Sequence, residues 1–196
     1  MSFDPTSGAA RRWQLIQQAH PEIEELTMRS QRIVEENSSF KVKSHKLYKL
    51  ADEMKAMLAP FVVCSSGCSN CCHMPTLIYQ HEADAMAVVS CRRARQLRYR
   101  PDHEVLKAGR AFTGQPCPFL SPDGRCSIYE HRPLICRVHN SLEDDPAVCK
   151  VDPSGPPSQR ACVDPDRIEV PYHQAARRAR PKEGWGVIQE FFPLEG

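Results

Sequence analysis

Four cysteines fall within nine residues, Cys64-Ser-Ser-Gly-Cys68-Ser-Asn-Cys71-Cys72, and this nest constrains the chain more than any other feature. Thiols this crowded cannot all pair as disulfides without strain, and a bridge between the adjacent Cys71 and Cys72 would close a distorted ring. Soft sulfur donors at such density suit a metal that several of them share, either zinc or an iron–sulfur cluster. Gly67 and the neighbouring Ser and Asn residues break any helical or strand period, so the nest is expected to be a loop.

Cys117, Cys126 and Cys136 follow, and then Cys149 and Cys162. Neither half of this set forms C-x2-C knuckles with histidine partners, which argues against a zinc finger or ribbon. A tight run that supplies most ligands, completed by remote cysteines, is instead the pattern of iron–sulfur sites, and the Cys117-Pro118 step echoes ferredoxin-type runs. Thiolate ligation alone admits zinc nearly as readily. Spacing therefore favours an iron–sulfur cluster, with Zn2+ as the alternative cofactor. Cys91, beside Val88 and Val89, reads as a small buried apolar residue. His73 and His139 stand near cysteines and are weaker ligand candidates. Arg137, next to Cys136, is placed to screen thiolate charge, and Arg132 and Glu130 are placed to pair within a turn.

The segment Cys117–Tyr129 has the form of a β-hairpin about Ser121-Pro122-Asp123-Gly124, with Pro122 and Gly124 at favoured turn positions. Pairing Leu120 with Arg125 would put Cys117, Phe119, Cys126 and Ile128 on one face. The two thiols would then be diagonal neighbours within reach of one site. Upstream, apolar spacing predicts a helix from Pro21 to about Asn37 and a second through Leu47, Leu50, Met54 and Met57, ending before Pro60. Together these predict an N-terminal helical hairpin. Further helices are expected over His81–Leu97, with Ala85, Met86, Val88 and Val89 as its apolar side, over Asp102–Phe112, and over Tyr172–Arg180. The stretch from Cys136 to about Asp166, rich in Pro and Asp, is expected to wrap the surface.

The fold class expected is mainly α with a small β-hairpin: a loop-rich, metal-stabilised cysteine-cluster domain. Its divisions are expected at 1–60 (helical extension), 61–166 (metal-binding domain) and 167–196 (tail). Seventeen prolines and 7% aromatics exclude a large regular sheet. A net charge of +2 gives no general drive toward nucleic acid or membrane, and the arginine runs at 92–95 and 177–180 read as solvated helix faces. No stretch approaches the roughly 20 apolar residues of a membrane span, and the N-terminus lacks a signal-peptide pattern. A cytoplasmic location is therefore expected, where thiols stay reduced and favour metal over disulfides. Export by another route would restore a disulfide framework.

The cluster Cys64–Cys72, then Cys117-Pro-Phe-Leu120, then Cys126-Ser-Ile-Tyr-Glu-His-Arg-Pro-Leu-Ile-Cys136-Arg137, resembles the bacterial CxxCxxCC cysteine-cluster family, described as zinc- or iron-chelating. The first gap here holds three residues where the family name implies two. The resemblance implies that Cys64, Cys68, Cys71, Cys72, Cys117, Cys126 and Cys136 are the ligand set. Because seven cysteines exceed one tetrahedral site, Cys149, and less so Cys162, could complete a second. A non-enzymatic metal or cluster protein, with the N-terminal helices as a possible protein-partner surface, satisfies these features. An iron–sulfur enzyme is the alternative: the motif is similar to that of a flagellin lysine methylase, and C-x3-C-x2-C is the spacing of radical S-adenosylmethionine enzymes. The chain is too short for their barrel and carries no glycine-rich nucleotide loop. A thiol redox switch is the third reading.

Overall fold

The structure is a computed structural model that describes residues 7–154 and 161–194. Its contacts divide into two units, residues 1–64, 137–146 and 159–181 forming the first, and 65–136, 147–158 and 182–196 the second. The chain is mainly helical with one small two-stranded antiparallel sheet.

In the first unit, α1 (Gly8–Ala19) begins at Ser7, whose hydroxyl accepts the Ala10 N–H at 3.1 Å. Pro21–Glu25 forms a 3-10 turn leading into α2 (Leu26–Glu35), so the helix expected from Pro21 starts later than its proline suggests. After a short connection, Ser39 caps α3 (Phe40–Leu58) by accepting from Val42 N–H at 3.4 Å. Leu26 and Val34 of α2 and Leu47, Leu50, Met54 and Leu58 of α3 are buried, which gives the expected α2–α3 hairpin.

That pair is completed by α7 (Asp166–Ala179), which packs on both helices and buries Ile168, Tyr172, Ala175 and Ala176. The helix was expected to begin at Tyr172, after Pro171. It runs straight through Pro171 instead. A proline has no N–H for the carbonyl four residues earlier, here Arg167, and such a gap normally ends a helix. Ser30 of α2 fills it: its fully buried hydroxyl lies 2.6 Å from Arg167 O and 2.8 Å from Thr27 O. Val138, Asn140, Ser141 and Leu142 are also buried in this unit, with Ser141 and Cys162 forming an isolated bridge. The expected surface course beyond Cys136 is therefore wrong for this stretch; residues 155–160 lie outside the described chain.

In the second unit, β1 (Leu77–Tyr79) pairs with β2 (Trp185–Val187) in the register Leu77↔Val187, Ile78↔Gly186, Tyr79↔Trp185. These strands lie far apart in sequence, which no local turn signal could announce. The first helix of this unit, α4 (Gln80–Ser90), leaves β1 directly. Buried Glu82 accepts the Tyr79 N–H at one carboxylate oxygen and the Leu134 N–H at the other, both at 3.1 Å. This carboxylate joins the start of α4 to the start of α6 (Leu134–Val138).

The helix expected to reach Leu97 stops at Ser90, because Cys91 adopts a left-handed conformation at φ 54°. Its apolar side is Ala83 and Met86; Val88 and Val89 are exposed, as is Cys91, contrary to the buried role expected for it. Residues 92–100 then run without helix or strand into α5 (Asp102–Gly109), a 3-10 turn over Arg110–Phe112, and the cysteine loops. The chain closes with α8 (Ile188–Phe191). Ile78, Met86, Phe119, Ile128, Ile188, Phe191 and Phe192 form the core of this unit.

Removing the Ser30 hydroxyl would leave the Arg167 carbonyl buried without its cross-helix donor, a loss of about 1–3 kcal/mol. Ser30→Ala should accordingly lower the unfolding free energy by that amount, read as a lower denaturant midpoint with no change in the slope of the transition.

Candidate metal centre

All ten cysteines are reduced thiols. The nest is a loop that tightens into a 3-10 turn, Asn70–His73, carrying Cys71 and Cys72. Upstream, Gly67 takes φ 88° and Cys68 N–H bonds Ser65 O at 3.0 Å, closing the turn that leads to Cys71. Cys117 N–H donates to Cys72 O at 2.7 Å and Gly114 N–H to His73 O at 2.9 Å, so the second cysteine segment is stitched onto the first by backbone bonds.

The hairpin about Pro122 forms with a register different from the one expected. Gly124 N–H bonds Ser121 O at 2.9 Å, making the predicted turn, but Leu120 bridges Cys126 rather than pairing with Arg125. Gly124, at φ 80°, is the cause: it is an extra left-handed residue after the turn and moves the returning strand by one position. Pairing stops at that bridge instead of extending into a ladder. Phe119 and Ile128 still enter the core, with Cys117 and Cys126 packed against it, so the shared environment survives the slip.

Gly124 has a second role. A Cβ built on it would stand 2.9 Å from the carbonyl oxygen of Gly67, so the hairpin turn and the nest approach backbone to backbone. Cys136 arrives from α6, whose first amide is held by Glu82.

These segments bring Cys71, Cys117, Cys126 and Cys136 into one another's electrostatic range. The neighbouring Cys72 thiol raises the pKa of Cys71 most, followed by burial of its sulfur. Burial pushes Cys117 to about 11, with Cys126 and Cys71 adding to the rise. Cys126 is raised by burial and by Cys71, and Cys136 well above the ordinary value by burial and then by Cys117, Cys71 and Cys126. Cys71 is itself exposed and the other three are half-buried, so partial burial and the neighbouring thiols together favour the protonated forms.

Two arginines oppose this crowding. Arg132 lowers Cys71, Cys126 and Cys136, and Arg92 lowers Cys117. Arg132 is held over the face of Tyr129, with 4.1 Å from the guanidinium carbon to the ring centroid. Tyr129, expected as a packing residue, is the exposed platform for it. Arg137, the expected screening residue, is turned elsewhere: its guanidinium forms two bonds to Asp52, at 2.6 and 2.7 Å, and lies over Tyr48.

The remaining candidates are placed as follows. Cys68 is half-buried in the nest. Cys149 is buried at the end of a 3-10 turn, Pro146–Cys149, in the second unit. Cys64 and Cys162 belong to the first unit; Cys64 Sγ accepts from Ser141 N–H at 3.4 Å, and Cys162 sits in the bridge to Ser141. His73 Nδ1 lies 3.2 Å from Ser69 O, and His139 is half-buried. Among the described residues, no three His, Cys, Asp or Glu side chains stand arranged as a finished metal cage. The donor set nonetheless fits zinc or iron chemically. It offers soft sulfur ligands from three chain segments whose thiols lie within electrostatic range of one another.

Residues 63–154 match the model of the CxxCxxCC family, described as "Putative zinc- or iron-chelating domain". This segment is similar to a CxxCxxCC domain. It covers just under half of the chain and takes in the nest, the hairpin, Cys136 and Cys149. No curated protein and no solved structure matches the chain. No helix among the described residues is long and apolar enough to cross a membrane.

Two outcomes test this geometry. Gly124→Ala must place a Cβ against Gly67 O and an L-residue at positive φ, so it should cost about 1–3 kcal/mol and lower metal content in the purified protein. Raised thiol pKa values stabilise the metal-free fold below the ordinary thiol value of 9.0, and this contribution is lost as pH climbs toward the raised value of about 11 for Cys117. Thermal unfolding of metal-free protein should show a melting temperature that falls from pH 9 to 11, with a smaller fall in Cys117→Ser.

Proposed function

We propose that this protein is a metal-binding protein whose second unit holds its metal through the thiolates of Cys71, Cys117, Cys126 and Cys136. Cys68 and Cys72 are the adjoining donors. The observation that carries the reading is the approach of four thiols from three separate segments, Cys71 raised first by Cys72 and the other three by burial and then by one another and Cys71. A fold has no packing reason to assemble four such groups around shared electrostatic strain, and a bound cation relieves it. The family description supports metal chelation in general.

The resident group we favour is an iron–sulfur cluster rather than zinc. Six thiols exceed one tetrahedral zinc, and a tight run completed by remote cysteines is the iron–sulfur pattern. When bound, the cluster would crosslink the loops and could carry an electron. Arg132 and Arg92 would then offset part of the negative charge of the ligated thiolates, and Glu82 would keep the α6 start, and with it Cys136, in place.

Anaerobic purification with iron, zinc and sulfide analysis and a visible spectrum tests the assignment. A brown protein with iron and labile sulfide is expected. Colourless protein with stoichiometric zinc would reverse the preference for iron, and protein free of metal after growth with both would refute chelation itself. Cys71→Ser and Cys136→Ser should each lose most of the metal, whereas Cys91→Ser, at the exposed end of α4, should keep it. Chelation of the wild-type protein should loosen residues 64–140, because such loop-rich metal domains draw folding energy from the metal. Unchanged proteolysis and circular dichroism after full metal removal would contradict this role.

A further inference from the structure

The run Arg92-Arg93-Ala94-Arg95-Gln96-Leu97-Arg98-Tyr99-Arg100 carries five arginines and no acidic residue. Its sequence suggested the solvated side of a helix. The structure places it beyond the end of α4, outside any helix, as a strap across the second unit.

Two of its arginines are used internally. Arg92 donates to Pro118 O at 2.8 Å with its guanidinium over the Phe119 and Phe192 rings, and Arg100 pairs with Glu190 at 2.9 Å. Arg93, Arg95 and Arg98 are exposed, and none of the three forms an ion pair with a described residue. Tyr99, between Arg98 and Arg100, is 49% exposed. Besides Glu190, Asp84 also contacts the strap, through Gln96 at 3.2 Å.

The strap is nevertheless fixed. Arg95 N–H bonds Phe191 O at 2.9 Å, and Gln80 clamps the backbone at two points, donating to Arg95 O at 3.2 Å and accepting from Leu97 N–H at 2.9 Å. Ala94 and Leu97 pack on the core cluster. Gly184 lies so close that a Cβ there would meet Leu97 O at 2.1 Å. A backbone fixed in this way loses little further freedom on binding.

We propose that this strap binds single-stranded nucleic acid, with Arg93, Arg95 and Arg98 taking phosphates and Tyr99 offering its ring to a base. The charge is complementary to a polyanion, and arginine's planar fork suits phosphate better than a lysine ammonium does. An exposed ring set among arginines is the stacking element that single-strand binders combine with a basic track. The strip offers no helix to enter a duplex groove. A groove of about 970 Å³ beside it, lined by residues 91–96 and Phe192–Leu194, mixes arginine and apolar side chains and gives room for a nucleotide.

Fluorescence anisotropy of a labelled single-stranded 20-nucleotide DNA or RNA, titrated with the full chain as purified, tests the proposal. Binding is expected, with log K falling against log salt at a slope of about −2 for three phosphate contacts. Combined Arg93→Gln, Arg95→Gln and Arg98→Gln should weaken binding at least tenfold at low salt and flatten that slope. Tyr99→Ala should weaken it about tenfold with the slope kept, since stacking carries no counterion release. All these side chains are exposed, so circular dichroism and metal content should match wild type. Absent binding, or binding that the triple variant leaves intact, would overturn the proposal. So would equal affinity for a duplex with no effect of Tyr99→Ala, or equal affinity for polyglutamate of the same charge, which would assign the strap to an acidic protein.

Discussion

Like-charge crowding among Cys71, Cys117, Cys126 and Cys136 is the constraint on which the second unit turns. Four thiols within electrostatic range of one another can be stable as neutral groups or as ligands, but not as bare thiolates. The loops that bring them together contain little regular structure, and their approach is organised by backbone bonds, by the contact of Gly124 with Gly67 and by the buried carboxylate of Glu82. Arg132 and Arg92 supply positive charge at the rim. Neutral thiols with cations nearby are the arrangement on which the proposed metal site rests.

The same economy of contacts appears in the first unit, where one hydroxyl decides the course of a helix. Ser30 supplies the hydrogen bond that Pro171 cannot, and α7 passes through a residue that would otherwise end it. In both units a single polar group, buried and satisfied, sets where a helix begins or continues. Apolar packing of Leu47, Leu50 and Met54 in one, and of Phe119, Phe191 and Phe192 in the other, supplies the bulk of the burial.

Much of this was legible along the chain. The helical spacing of Leu47, Leu50 and Met54, the turn at Pro122 and Gly124, and the order of the cysteines all rest on local preferences that act within a few residues. The misses have a common origin. Val88, Val89 and Cys91 read as an apolar side, yet all three are exposed and α4 ends where Cys91 turns left-handed. The hairpin register slipped because a left-handed glycine after a turn adds a residue that composition alone does not place. Arg137 sits beside Cys136 in sequence, but Asp52 captures it, and Arg132 takes the place by the thiols.

The sequence by itself determined the chemistry: soft donors in a spacing that zinc or iron can use, on a helical, loop-rich chain. It could do so because ligand type and local turn preference are properties of short segments. Only the tertiary structure decided which thiols crowd one another, which arginine faces them, and that the arginine run is a pinned strap rather than a helix face. Those outcomes depend on contacts between residues far apart in the chain, such as Glu82 with Leu134, Gly67 with Gly124 and Arg95 with Phe191. A long-range contact forms when burial and hydrogen bonding outweigh the entropy of closing the intervening loop, and no short stretch of sequence contains both sides of that balance.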